Sequence, residues 1–147
     1  MYDLGFSIEY IQYFRLLLKQ ETQLSQKDKY FFNINATDKG IFRELGEGIN
    51  TRIFPGAQAT VSVVKIDPNS TGKIHSHPQE QWSLLVDGSA TRIQGNEKIS
   101  VSKGDFWCTP GGINHGIIGG SKGAMIFDIF APPRNEYKKP GSGFAAD

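Results

Sequence analysis

After residue 30 the chain breaks into short β-rich runs, and most breaks carry turn chemistry. The runs fall at residues 30–34, 41–45, 50–54, 60–66, 82–86, 90–94, 98–101, 105–108, 115–118 and 124–130. Between them stand Asp67-Pro68-Asn69-Ser70-Thr71-Gly72, Asp87-Gly88, Gly95-Asn96, Lys103-Gly104 and Gly119-Gly120. Glycine supplies backbone conformations closed to other residues, proline fixes φ, and Asn or Asp bonds its own backbone, so these stretches turn the chain. About ten short strands with no helix-length pattern between them predict an all-β fold, closed or sandwiched. They also argue against βαβ units. A chain of 147 residues suits one core, and its 38% of hydrophobic residues can fill it.

The N-terminal part reads differently. Residues 7–20 have no glycine or proline and carry an apolar stripe through Ile8, Ile11 and Leu18, which predicts a short helix with Ser7 as its N-cap. The polar residues 20–29 read as a linker. The expected division is an N-terminal helical extension at 1–28, a barrel at 29–135, and a C-terminal tail at 136–147 with a Gly-Ser-Gly. The acidic opening and the early Arg15 and Lys19 do not read as a secretory signal, and no run of 18 apolar residues predicts a membrane span. The net charge of +1 without a long charge run gives no footprint for nucleic acid or a membrane surface. Cys108 is the single cysteine, so no intrachain disulfide can form. A cytoplasmic protein is the expectation.

The histidines carry the chemistry. There are three: His75 and His77, spaced by Ser76, and His115. Residues two apart on a strand point to one face, so His75 and His77 can project side by side, and Gln81 shares that face at an even offset. Glu80, one position away, then faces outward. Three imidazoles and an amide oxygen suit one divalent transition metal, Zn, Ni, Fe or Mn, with a position left for water or substrate.

Two longer patterns enclose these residues. Gly72-Lys73-Ile74-His75-Ser76-His77-Pro78-Gln79-Glu80-Gln81, running on to Gly88, resembles the first cupin motif. Gly104, Pro110, Gly112 and His115 stand at the spacing of the second, with Gly119 where an asparagine is frequent. The resemblance spans about residues 30–135. It implies a cupin double-stranded β-barrel, or jelly roll, preceded here by the short N-terminal helix. It also implies a metal on His75, His77, Gln81 and His115. A neutral glutamine leaves the ion its full charge, which leans the site toward isomerase or lyase chemistry on an anionic small molecule.

The end of the barrel narrows the resemblance. The stretch from His75 to Gln81, with Asp128, Phe130 and Arg134, is similar to the small cupins of pectin and alginate degradation that linearise unsaturated uronates. By that resemblance Asp128 is a proton-transfer group, Phe130 contacts the sugar, and Arg134 binds its carboxylate. The other readings are a metal-dependent dioxygenase and a non-enzymatic sugar or small-acid binder. Exposed strand edges and the N-terminal helix point to a homodimer. Arg92 and Lys73 read as solvated charges, Cys108 as a buried small residue, and Trp82 and Trp107 as core or interface.

Overall fold

The computed structural model describes residues 7–20 and 25–144. Residues 1–6, 21–24 and 145–147, which hold part of the expected linker and the end of the tail, lie outside the described residues. The chain divides into two compact units, Met1–Ala36 and Thr37–Asp147. In the first, helix α1 runs Ile8–Gln20, and the Tyr10 N–H donates to Ser7 Oγ at 3.3 Å, the cap read from the sequence. A second helix, α2 (Gln26–Tyr30), replaces the rest of the expected linker. Ser25 starts it by accepting from the Asp28 N–H at 3.2 Å and donating to the Asp28 carboxylate at 2.6 Å. The strand expected at 30–34 does not form. Tyr30 ends α2, and residues 31–33, although aromatic-rich, join no strand pairing among the described residues. An apolar run without a partner strand has no ladder to complete.

The second unit is the β-barrel. Its strands are β1 (Ile41–Gly46), β2 (Ile49–Pro55), β3 (Thr60–Ile66), β4 (Glu80–Gln94), β5 (Glu97–Ser102), β6 (Phe106–Thr109), β7 (His115–Ala131) and β8 (Gly141–Ser142). They pair in the order β5-β4-β7-β3-β2-β1-β8, with β6 on β4. Every pairing is antiparallel except β1 with β8. No helix among the described residues is long and apolar enough to cross a membrane.

Four of the expected strands merge into two long ones. β4 joins 82–86 to 90–94, and β7 joins 115–118 to 124–130, and they pair along their length. The ladder shifts register between Leu85 and Asp87 and again between Gly88 and Ala90. At the break Gly88 has φ +81°, and a Cβ there would collide with Gly123 O, so glycine is required. The breaks also change which face of β4 points inward. Gln81, Ser83 and Leu85 are buried before them, Ala90 and Arg92 after them. Because side chains alternate with period two, such a slip exchanges the two faces. It corrects one expectation: Arg92 is interior, 5% exposed, rather than solvated. Trp82, ahead of the breaks, stands outward at 45% exposure, so of core or interface it is not core. Trp107 packs against the core, Cys108 is half-buried rather than buried, and Lys73 is exposed.

The tail returns to the barrel. A short 3-10 helix, Asn135–Lys138, buries Tyr137 in the same core cluster as Ile53, Leu85 and Phe130. Buried Arg43 of β1 clamps β8 and the residue after it, donating to Ser142 O at 2.6 Å and Gly143 O at 2.8 Å.

Candidate metal centre

His75 and His77 lie in the irregular segment before β4, not in a strand as expected. His75 is instead tied to the first residue of β7 by reciprocal backbone bonds. The His75 N–H donates to His115 O at 3.0 Å, and the His115 N–H donates to His75 O at 2.8 Å. The Gly112 N–H donates to His77 O at 2.8 Å. Two loops are thus stitched together across the barrel, and the three rings converge. Ring centroids lie 4.4 Å apart for His75–His115, 4.9 Å for His77–His115 and 5.8 Å for His75–His77. One nitrogen from each ring falls within 4.8 Å of the others.

Hydrogen bonding settles which nitrogens these are. Nδ1 of His75 lies 2.9 Å from Lys73 O, Nδ1 of His77 3.0 Å from Gln79 O, and Nδ1 of His115 2.7 Å from Ile113 O. A carbonyl oxygen only accepts, so each Nδ1 carries the proton and each Nε2 offers a lone pair. Nε2 of His115 is buried with no partner among the described residues. Nε2 of His77 faces Gln81 Oε1 at 3.1 Å. The Gln81 orientation is fixed on its other side, where Nε2 donates to Ser83 Oγ at 3.2 Å and Ser83 Oγ donates to Asp128 Oδ1 at 2.6 Å. Two acceptors therefore face one another beside a third that is orphaned. A cation among them satisfies all three, so the donor set fits a divalent metal. Glu80 points away and accepts from Trp82 Nε1 at 2.7 Å.

Burial pushes the His75 pKa down to about 4, against the bond to Lys73 O. It pushes His115 down to about 3, against the bond to Ile113 O. His77 is also lowered, by burial and then by the charge of Arg134. All three are neutral at pH 7, the state a metal requires. These depressed values tie stability to pH. The unfolded chain takes protons on His75 and His115 near pH 6.5, and the metal-free folded chain refuses them until about pH 4 and 3. The histidines' contribution to stability is therefore full above pH 6.5 and is lost as the pH drops below it. Asp128, whose pKa is raised, acts in the opposite sense. Urea unfolding of chelator-treated protein at pH 7, 6 and 5 is expected to show a steadily falling midpoint. A midpoint that holds or rises would remove the argument.

The remaining expected residues line the same cavity. Asp128 is 6% exposed, Phe130 3% and Arg134 1%, and all face the interior. Burial raises the Asp128 pKa, outweighing its bond from Ser83. Arg134 donates from Nε to Glu136 Oε1 at 2.8 Å and from Nη2 to Phe144 O. Its guanidinium lies 4.1 Å from the Tyr137 ring centroid. Phe144 stacks on the His75 ring at 4.4 Å. Three groups at this cavity were not singled out from the sequence. Ser83 had a signal, since it lies two residues beyond Gln81 on one strand. Arg92 was hidden by the register breaks. Phe144 gave no signal, because its place depends on how the tail returns.

Fold and site together define a class. Residues 62–130 match the family described as Cupin domain, and the barrel has the cupin jelly-roll fold. Among known proteins it resembles the pectin degradation protein KdgF of Dickeya dadantii, at 25% identity over 74% of this chain and 97% of that protein. It also matches oxalate decarboxylase OxdC of Bacillus subtilis at 26% identity over 65% of this chain, but spans only about a quarter (26%) of that protein. Of solved structures, KdgF from Halomonas sp. superposes with TM-score 0.60 at 23% identity, covering 68% of this chain and 98% of that one. An RmlC-like cupin from Shewanella frigidimarina gives 0.62 at 19% identity, covering 70% and 93%. The chain thus resembles small cupins of the KdgF kind in fold and in its histidine triad.

Proposed function

We propose that His75, His77, Gln81 and His115 hold one divalent metal, and that the cavity beside it opens and tautomerises a 4,5-unsaturated uronate. The observation that carries this reading is the continuous chain from the metal cluster to a buried acid: His77 Nε2, Gln81, Ser83, Asp128. The bound ion would supply positive charge for oxygen anions that develop during the reaction. Asp128 is the proton-transfer group. In ring opening the C1 hydroxyl loses its proton, the C1–ring-oxygen bond breaks to leave an aldehyde, and C4 gains a proton as C5 becomes a ketone. The net change is an isomerisation, so one group that takes a proton and returns it suffices. Phe130 offers a ring face to the sugar, and Arg134, with Nη1 buried and unpartnered, offers a donor to its oxygens.

The pectin-degradation relative supports the choice of substrate class. The protein is read as cytoplasmic and dimeric. Trp82, Leu84, Phe106 and Ile129 are exposed on one outward face, which supports pairing of two copies there. The test is direct. The conjugated substrate absorbs in the ultraviolet, and metal-loaded protein is expected to speed its decay at least tenfold over buffer. Decay no faster than buffer would overturn the substrate assignment.

A further inference from the structure

Three arginines are buried in this barrel, and their surroundings differ. Arg43 is a structural clamp, donating to backbone oxygens of Glu136, Ser142 and Gly143. Arg134 is neutralised by Glu136, with 2.7 Å between Nη2 and Oε1. Arg92 has no ion pair among the described residues. Its Nη2 donates to Thr109 Oγ1 at 2.7 Å and its Nη1 to Gly116 O at 3.4 Å. Its Nε is buried with no partner. A buried guanidinium with no carboxylate in contact is costly, and a buried N–H without an acceptor adds to the cost.

The residue is nonetheless held firmly. Thr109 Oγ1, which accepts from Arg92, donates in turn to Gln94 Oε1 at 2.8 Å, and Gln94 Nε2 donates to Cys108 O at 3.0 Å. The guanidinium lies over the Trp107 ring, 5.7 Å from its centroid. Burial lowers its pKa to about 10, so it is charged at neutral pH. Arg92 lines the cavity that His75, Gln81, His115 and Asp128 also line, and its charge reaches His75 and His115. The interior thus holds one cation that no carboxylate contacts, with Asp128 acting on it only across the cavity, beside a site that would hold a second.

We propose that Arg92 is the carboxylate seat of the pocket, so that the ligand is a small acid bound through its carboxylate to Arg92 and through another oxygen to the metal. This rests on the metal-site reading but not on the uronate assignment. Arg134, with its charge matched by Glu136, then contributes orientation, and Arg92 supplies the selection for an anion.

The test uses a pair of probes of one size and shape, glycolate and its neutral amide, glycolamide. Their affinities for metal-loaded protein are measured by calorimetry, with metal content determined on each sample. The wild type is expected to prefer glycolate. Arg92→Met is expected to weaken glycolate at least tenfold while changing glycolamide less than twofold, at unchanged metal content. Equal glycolate affinity in the wild type and in Arg92→Met would overturn the proposal, as would equal weakening of both probes. If Arg92→Met does not fold, Arg92→Lys is measured instead. The shorter reach of an ammonium is expected to cost glycolate at least threefold, and an unchanged affinity counts against the seat. A protein that takes up no metal overturns the site reading itself, and the seat with it. A protein that binds glycolate as described yet leaves an unsaturated uronate untouched retains the seat and loses only the substrate.

Discussion

His115→Ala is expected to bind a divalent metal at least ~100-fold more weakly than the wild type while keeping its fold. Losing an outer partner of a metal ligand already costs about 10–100-fold, and this change removes a ligand itself. The geometry separates the two consequences. His115 is tied to His75 through backbone N–H and C=O groups, which alanine retains, so the stitching of the two loops survives. Only the imidazole goes, and with it the buried Nε2 that has no partner and the contacts to the two neighbouring rings. The ring is 1% exposed, so its removal leaves a hole that water or the remaining rings must fill. Two measurements check the outcome. Metal content after dialysis is expected to fall far below that of the wild type. Added metal should raise the wild-type melting temperature and barely move the variant's, because a ligand stabilises the fold only as it binds. Equal metal content and equal thermal gain in both proteins would show that the triad is not the metal site.

How much of this could be read from the sequence depended on how local the signal was. His75 and His77 are two residues apart, and His115 stands at a fixed distance after Gly104, Pro110 and Gly112, so their convergence was legible even though His75 and His77 are not on a strand. The rings meet because loop segments are tied by backbone bonds at His75, His77 and Gly112, not because a pleat aligns them. Asp128 and Phe130 share a face by period two within an unbroken part of β7, and that reading survives in the structure. Arg92 shows why period two can fail. In Ala90-Thr91-Arg92-Ile93 the alternation invites Ile93 inward, but the register breaks at Asp87 and Gly88 place Ala90 and Arg92 inside. Trp82 and Leu84, ahead of those breaks, stand outward by plain alternation with Gln81 and Ser83. The aromatic residues 31–33 looked like a strand because composition cannot report whether a partner edge exists. The tail's packing through Tyr137 and Phe144 depends on contacts about a hundred residues apart in sequence, such as Arg43 with Ser142, and no local pattern encodes that.

The buried acid gives the other large effect. Asp128→Asn is expected to lower turnover of an unsaturated uronate by ~10²-fold or more, the usual contribution of a placed proton-transfer group, with metal content unchanged. Asparagine has the same shape, and its side-chain oxygen can accept from Ser83 Oγ as Asp128 Oδ1 does at 2.6 Å, so the chain through Gln81 to the metal cluster is preserved. What it lacks is the ability to take and return a proton. Stability supplies an independent sign. Burial raises the folded pKa of Asp128, so holding this group in the folded state becomes more costly as the pH rises above the unfolded value near ~3.9. The amide has no such cost. The variant is therefore expected to gain stability over the wild type, with a gap that opens as the pH rises above about 4. A buried acid without a chemical role would give the gain in stability but not the loss of turnover, whereas an acid kept for its chemistry at the expense of the fold gives both. Turnover within a few-fold of wild type in a folded, metal-loaded Asp128→Asn protein would remove Asp128 from the mechanism.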